Sequence, residues 1–357
     1  MSPDPDILPR PPQRTERGTE LAPSATTTIE ASGARIGVVI PCYRVAPQIE
    51  KVIRGIPAWV EAIIVVDDAS PDDSAARVTA LNHPRVTLLR HPQNQGVGGA
   101  MQTGFAEALK RGLDVVVKMD GDDQMDASYL RALVEPLVDG RADVTKCNRY
   151  SSLRSLGEMP VVRMIGNAGL TFLVKMASGY WNIFDPANGF VAVRTRVLER
   201  FDVQRLPKRY FFESGFLIEL GIQRAVVLDV PMTAKYGEEH SSLKPHRVLI
   251  EFPPKLLYGF MRRLFWRYFV HDFSAVSVFV LTGFPLLVFG LAFGIYEYAW
   301  FYTRGEYASA GVVMLAAMPI ILGVQLLLQA IVLDIAAVPK TPLTTAIRRE
   351  DGTGKAR

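Results

Sequence analysis

Hydrophobic and polar positions follow two different patterns along this 357-residue chain. Up to about Pro231, apolar residues come in short runs rich in β-branched side chains: Ile36–Ile40, Ala62–Val66, Val86–Leu89, Val115–Met119 and Ala142–Thr145. Runs of this length, bounded by turn residues, predict strands. Helical segments lie between them, such as Asp72–Leu81, which opens after Pro71 with Asp72 and Asp73, and Val97–Arg111, closed by Gly112. The alternation predicts an α/β domain, a mainly parallel Rossmann-like sheet with helices on both faces. Ligands of such folds bind beyond the carboxyl ends of the strands. Further on the pattern changes. Phe273–Tyr296 and Tyr307–Leu333 contain no charged residue. Each exceeds the ~20 apolar residues that span a bilayer, so both read as transmembrane helices rather than buried core helices. Just before them, residues 248–271 mix Leu, Phe, Tyr and Trp with Arg262, Arg263 and Arg267 after a break at Pro253–Pro254. This is the composition of a basic amphipathic helix in a membrane interface.

The remaining composition refines this division. Residues 1–34 are rich in Pro, Ser and Thr and lack the apolar stretch of an export signal, which suggests a disordered leader. Cys42 and Cys147 cannot form a disulfide framework and fit a reduced compartment. Arginines precede the first span, and Lys340, Arg348 and Arg349 follow the second. The loop between the spans holds Arg304 with Glu297 and Glu306. The positive-inside rule then puts both termini and the large domain in the cytoplasm, at an inner membrane or its equivalent. The organisation expected is a leader (1–34), a catalytic domain (35–247), a juxtamembrane segment (248–271), two spans (272–336) and a cytoplasmic tail (337–357). Gln325 and Gln329, one turn apart in the second span, suggest helix bundling or a homo-oligomer.

Candidate chemistry sits at strand ends. Asp67 and Asp68 close the second strand in VVDDASPDDS, and Asp120, Asp122 and Asp123 close another in VVKMDGDDQMD. Carboxylates crowded at the end of an apolar strand repel one another unless a cation compensates. A divalent ion does so, taking oxygen from one or two carboxylates and from substrate phosphates. Asp120 and Asp122 are spaced to share one site, with Gln124 able to add a neutral oxygen. Asp126 reads as a helix cap instead. The string HPQNQGVGGAMQTGF matches neither the P-loop nor the dinucleotide fingerprint. Its glycines would let a helix N-terminus approach a nucleotide or the sheet.

Taken together and in order, VVIPCYR, VVDDASPDDS, NQGVGGA and MDGDDQ resemble the inverting glycosyltransferase family 2, whose fold is termed GT-A. The later strings DPANGFVAVR, YFFESGF and VPMTAKYGEEHSSLK are similar to the dolichol-phosphate mannosyltransferase and bacterial polyprenyl-phosphate glycosyltransferase branch. The resemblance spans about Arg35–Lys244 and implies roles for matching residues. Pro41, Tyr43, Asp67, Asp68, Asn94, Gly98 and Asp120 would bind the nucleotide sugar. Asp120, Asp122 and Gln124 would hold Mg²⁺ or Mn²⁺. Asp122, Glu213 and Arg149 would be catalytic. Asp185, Asn188, Gly189, Arg194, Ser242 and Lys244 would bind the acceptor. Asp123 stands where relatives usually carry an apolar residue, and Asn188 where Ser is commoner.

The activity implied is that of a hexosyltransferase. An ionised acceptor phosphate, undecaprenyl or dolichyl, would attack the anomeric carbon of a nucleotide diphosphate sugar with inversion at the cytoplasmic face. The acceptor is already ionised, so Glu213 would orient rather than deprotonate. A processive synthase would carry a QxxRW string, which is missing here, and two spans are too few for a channel. A different acceptor, or a non-catalytic module that binds nucleotide sugars, remains the alternative. No nucleic-acid partner is expected.

Overall fold

A computed structural model of the chain describes residues 29–149, 161–232 and 245–343. The β-branched runs form a seven-stranded sheet: β1 (Ile36–Cys42), β2 (Ala62–Asp67), β3 (Val86–Arg90), β4 (Val115–Lys118), β5 (Val144–Asn148), β6 (Val191–Arg194) and β7 (Val227–Pro231). The strand order is β3-β2-β1-β4-β6-β5-β7. All neighbours are parallel except β6, which runs against both β4 and β5. Its reversal matters for function. The chain entering β6 arrives at the edge where β4 and β5 end, with Val191 paired to both Lys118 and Lys146.

Successive residues of a strand face opposite sides, and β1 supplies two cores. Val39 packs with Met101 and Phe105 of α4 (Val97–Lys110) and with Phe212 and Phe216 of α8 (Phe212–Gln223). Val38 and Ile40 pack with Ile49 and Val52 of α2 (Ile49–Gly55) and Leu133 and Leu137 of α5 (Leu130–Val138). Burial on both faces explains why the strands read as continuous apolar runs. The folded chain begins earlier than Arg35: Ile29–Ser32 form a short helix, α1, and Ile29, 2% exposed, joins the second core; α3 (Ser74–Ala80) and α7 (Thr195–Leu198) are further short helices.

The two uncharged stretches form α10 (Ala275–Arg304) and α11 (Ala310–Ala336), both long and apolar enough to cross a membrane. The turn between them is shorter than the sequence suggests, because α10 continues through Glu297 to Arg304. The helices pack closely, and a Cβ on Gly323 would lie 2.7 Å from the Leu287 nitrogen and 2.8 Å from the Gly283 oxygen. Small residues at such contacts let apolar helices associate through van der Waals packing. Gln325 and Gln329 instead lie on exposed faces of α11.

Residues 245–265 form one helix, α9, with Pro253 and Pro254 inside it rather than at a break. Leu257, Tyr258, Met261, Phe265 and Trp266 are exposed and follow one face of α9 and the π-helical turn Trp266–His271. The arginines divide. Arg262 pairs with Glu219 at the surface of α8. Arg263 and Arg267, 0% and 4% exposed, turn into the protein. Arg263 makes a two-pronged pair with Asp334 near the end of α11 (2.8 and 2.9 Å) and donates to the Ala177 and Met176 carbonyls at the end of α6 (Val161–Ser178). Tyr268 Oη donates to Asp334 Oδ1 at 2.5 Å. Leu343 N donates to Asp143 Oδ2 at 2.8 Å, so the chain after α11 also returns to the sheet domain.

Candidate active site

The carboxyl ends of β1, β2 and β4 bring Pro41, Tyr43, Asp67, Asp68 and Asp120 to one edge of the sheet. Their local roles differ. Tyr43 is 42% exposed and lies under the Arg44 guanidinium. Asp67 is fully buried, with Arg90 Nε 3.4 Å away and the Ser70 N–H 3.3 Å away. Asp68, 3% exposed, accepts the backbone N–H groups of Gln95 (2.8 Å) and Gly96 (2.7 Å) and lies 2.7 Å from His91 Nδ1. Asn94 Nδ2 donates to the Asp68 carbonyl at 3.2 Å. Asp68 and Asn94 therefore clamp the loop between β3 and α4, and the Asp68 carboxylate is occupied by protein.

Gly98 is held in a close backbone contact. A Cβ there would lie 1.9 Å from the Pro207 carbonyl oxygen, so only glycine lets the α4 N-terminus meet the Pro207–Lys208 backbone. Gly99 N donates to the Lys208 carbonyl at 2.9 Å, which holds that segment in place. The segment leads into α8, whose first turn carries Glu213.

Beyond β4 the acidic string divides its tasks. Asp120, a third exposed, accepts from Lys118 Nζ at 2.6 Å. Asp122 Oδ1 accepts the Gln124 backbone N–H at 3.1 Å. Asp123, at φ +62°, pairs with Lys51 and so leaves the pair Asp120 and Asp122. Asp126 caps the following turn by accepting from Ser128 N at 2.9 Å.

The reversed β6 delivers the other half of the site. Asp185, 1% exposed, accepts both Nε (2.7 Å) and Nη2 (3.2 Å) of Arg149 at the end of β5. Such a two-pronged pair fixes the guanidinium plane. Asn188 Oδ1 accepts from Phe190 N at 2.9 Å, while its buried Nδ2 has no acceptor among the described residues. A Cβ on Gly189 would lie 2.3 Å from Lys118 Nζ and 3.2 Å from Asp120 Oδ2, so glycine admits the lysine to the acidic pair.

Two buried lysines at the centre escaped the sequence reading, although each is a lone cation inside an apolar strand, in VVVKMD and VTKCN. Lys118 is 1% exposed and lies between Asp120 and Glu213, the latter 3.5 Å away. Burial opposes its charge, but the two carboxylates outweigh that and raise its pKa. Lys146 is 2% exposed and donates to the Asn188 carbonyl. Burial drives its pKa down to about 8 against the opposing pull of Asp185 and Glu213, and Lys118 and Arg149 add repulsion. Asp229 of β7, which supports the Asp185 loop by accepting from Phe184 N at 2.9 Å, has its pKa raised by burial.

Other expected residues lie elsewhere. Arg194 pairs in register with Val115, three positions from Lys118 at the opposite end of β4, and is buried there near Asp143 and Asp114. It is a cation of the sheet's far edge, and because β6 runs backwards its C-terminal residue faces away from the site. Ser242 and Lys244 lie outside the described residues. Asp120 and Asp122 offer two carboxylates, and among the described residues no group of three or more His, Cys, Asp and Glu side chains is placed to hold a metal ion. That donor set fits a cation whose other ligands are substrate phosphates and water.

Residues 37–201 match the Glycosyl transferase family 2 model. An undecaprenyl-phosphate mannosyltransferase of Micrococcus luteus is 30% identical over 178 residues, 48% of this chain and 70% of that one. A UDP-N-acetylglucosamine–dolichyl-phosphate N-acetylglucosaminyltransferase of Methanococcus voltae is 27% identical over 232 residues, 61% of this chain and 92% of the other. A polyprenol monophosphomannose synthase of Mycolicibacterium smegmatis is 31% identical over 175 residues, 48% and 65% of the two chains. A solved glucosyl-3-phosphoglycerate synthase of Mycobacterium tuberculosis, in complex with Mn²⁺, UDP-glucose and phosphoglyceric acid, shares the fold with a TM-score of 0.50 at 21% identity, over 66% of this chain and 83% of that one. The fold and site define a sugar-transferring α/β enzyme. The chain belongs to glycosyl transferase family 2 and is a glycosyltransferase.

The pH dependence follows from Lys146. Its folded-state pKa, about 8, lies below the usual 10.5. Between those values the unfolded chain binds more protons, so stability rises with pH across that window. The Lys146 charge is lost over the same range. kcat/KM, which reports the free enzyme, is therefore expected to fall about tenfold per pH unit above pH 8. Lys146→Met should give a flat profile in this range, already low at pH 7. A wild-type profile level to pH 10 would exclude a role for this charge.

Proposed function

We propose that the protein transfers a sugar from a nucleotide diphosphate sugar to a polyprenyl phosphate, with inversion, at the cytoplasmic face of the membrane that holds α10 and α11. One observation carries the reading: a site with two carboxylates and two buried lysines lies in a domain joined by buried charges to an apolar hairpin. The named functions of the Micrococcus, Methanococcus and Mycolicibacterium relatives support the lipid phosphate as acceptor.

In this reading Asp120 and Asp122 seat a divalent ion, Mg²⁺ or Mn²⁺, which when bound offsets charge on the leaving diphosphate. Lys118 holds Asp120 in place and adds a fixed positive charge next to that diphosphate. Preorganised charges of this kind act where charge develops and cost no reorganisation during reaction. Arg149, Lys146 and the unpaired Asn188 Nδ2 face the acceptor phosphate, with Asp185 orienting Arg149. Glu213 balances Lys118 and orients the sugar. The acceptor oxygen attacks the anomeric carbon, the bond to the diphosphate oxygen breaks, and the nucleoside diphosphate leaves.

The test offers membranes containing the full chain a panel of radiolabelled nucleotide sugars with and without polyprenyl phosphate, followed by lipid extraction. Label from one donor should enter the organic phase only when the lipid is supplied. Label that remains in water, or that reaches a soluble acceptor, would refute the proposal.

A further inference from the structure

A second charged cavity lies where the sheet domain meets the hairpin. Its volume is about 280 Å³, and Arg224, Arg267, Asp272 and Ser274 line it above an apolar floor of Val276 and Leu333. Arg224 caps the C-terminus of α8, and Glu213 lies at the other end of that helix. The 11 residue-to-residue steps from Glu213 to Arg224 span ~16 Å at 1.5 Å each, so the cavity is separate from the candidate active site.

Its charges are incompletely balanced. Arg267 is 4% exposed, donates through Nη2 to the Ala337 carbonyl and stacks on the Tyr268 ring, yet its buried Nη1 has no acceptor among the described residues. An unsatisfied buried guanidinium donor is costly unless something completes it. Burial lowers the Arg267 pKa, and the charges of Arg263 and Arg224 add to that effect against the opposing pull of Tyr268 and Asp334. The Arg224 backbone N–H donates to the Gly221 carbonyl at 3.3 Å, but its side chain makes no hydrogen bond or ion pair among the described residues, and it adopts φ +60°, a left-handed cap conformation in which glycine is the usual residue. The N-terminus of the 30-residue α10 opens at the same place, with Ser274 as its cap. The helix dipole there favours an anion.

We infer that this cavity binds the phosphodiester headgroup of an anionic membrane lipid, bridging the sheet domain and the hairpin. Two features favour a lipid over a soluble anion. The cavity lies at the ends of the two apolar helices, where headgroups are found. Arg224 and Arg267 against Asp272 leave one net positive charge, which matches a singly charged phosphodiester better than dianionic inorganic phosphate.

The test uses the full-length protein, delipidated in detergent, and native mass spectrometry with phosphatidylglycerol or phosphatidylcholine. The wild type should retain one phosphatidylglycerol at least tenfold more strongly than phosphatidylcholine. Arg224→Glu, a surface change that leaves the buried pairs intact, should remove that preference, whereas Arg304→Gln at the far end of the hairpin should not. Equal retention by wild type and Arg224→Glu would overturn the site. Displacement of the lipid by millimolar inorganic phosphate would overturn the lipid as its occupant. This readout does not depend on transferase activity, so it stands or falls separately from the proposed reaction.

Discussion

Asp120→Asn should lower kcat by about 10³-fold, on the scale of removing one preorganised charge contact from a transition state, and should leave the protein folded. Asp120 sits at the turn after β4 and serves two purposes in the proposed site. One oxygen accepts from Lys118 at 2.6 Å, and the other faces Gly189. The asparagine has nearly the same shape but no charge. Lys118, 1% exposed, would then rely on Glu213 at 3.5 Å alone. The seat shared with Asp122 would lose half its charge at the same time. Asp126→Ala is the internal control. Asp126 caps a turn by accepting from Ser128 N, so its loss should cost about 1 kcal/mol of stability and leave kcat within twofold. Both variants are compared with wild type on the donor selected by the panel, with thermal unfolding followed in parallel. An Asp120→Asn enzyme within tenfold of wild-type kcat would remove Asp120 from the chemistry.

Asp334→Ala should destabilise the full chain in detergent by about 3–5 kcal/mol, because it leaves a buried cation without its partner. Arg263 is 0% exposed, and both of its outer nitrogens reach Asp334. The mutation leaves the Arg263 bonds to Ala177 and Met176, but Tyr268 Oη loses its acceptor. At this chain size the shift corresponds to a fall of roughly 10 °C in Tm. Arg263→Met combined with Asp334→Leu replaces the pair with apolar groups and should recover most of the loss, since buried pairs are often no more stable than well-packed hydrophobic substitutes. A single variant that melts within a degree of wild type would show that the joint bears no load. A double variant as unstable as the single would show that these charges are irreplaceable.

Local sequence patterns account for the strands, the hairpin and the acidic strand ends. Ile36–Ile40 and Val115–Val117 carry no polar side chain because the sheet is buried on both faces. The spans are visible because lipid excludes charge for ~20 residues at a stretch. Asp126 could be read as a cap because capping is a property of three or four neighbouring residues. Asp120 and Asp122 could be read as a pair because their spacing alone brings them near each other.

What only the tertiary structure decided depends on partners distant in sequence. Strand β6 is four residues long and runs against its neighbours, a direction no local pattern reveals. That direction places Asp185–Gly189 at the site and Arg194 away from it. Lys118 and Lys146 became site residues once their carboxylates arrived from positions 185 and 213 as well as 120. The loop contacts of Asp68 and the backbone contact at Gly98 likewise come from residues far along the chain. Arg263 and Arg267 carry the same charge pattern as headgroup-facing arginines. Asp334, about 70 residues away in sequence, turns one of them inward. Periodicity and charge exclusion act over a few residues and can be read from the chain. Charge compensation across a closed sheet, and between that sheet and a hairpin, exists only in the folded molecule.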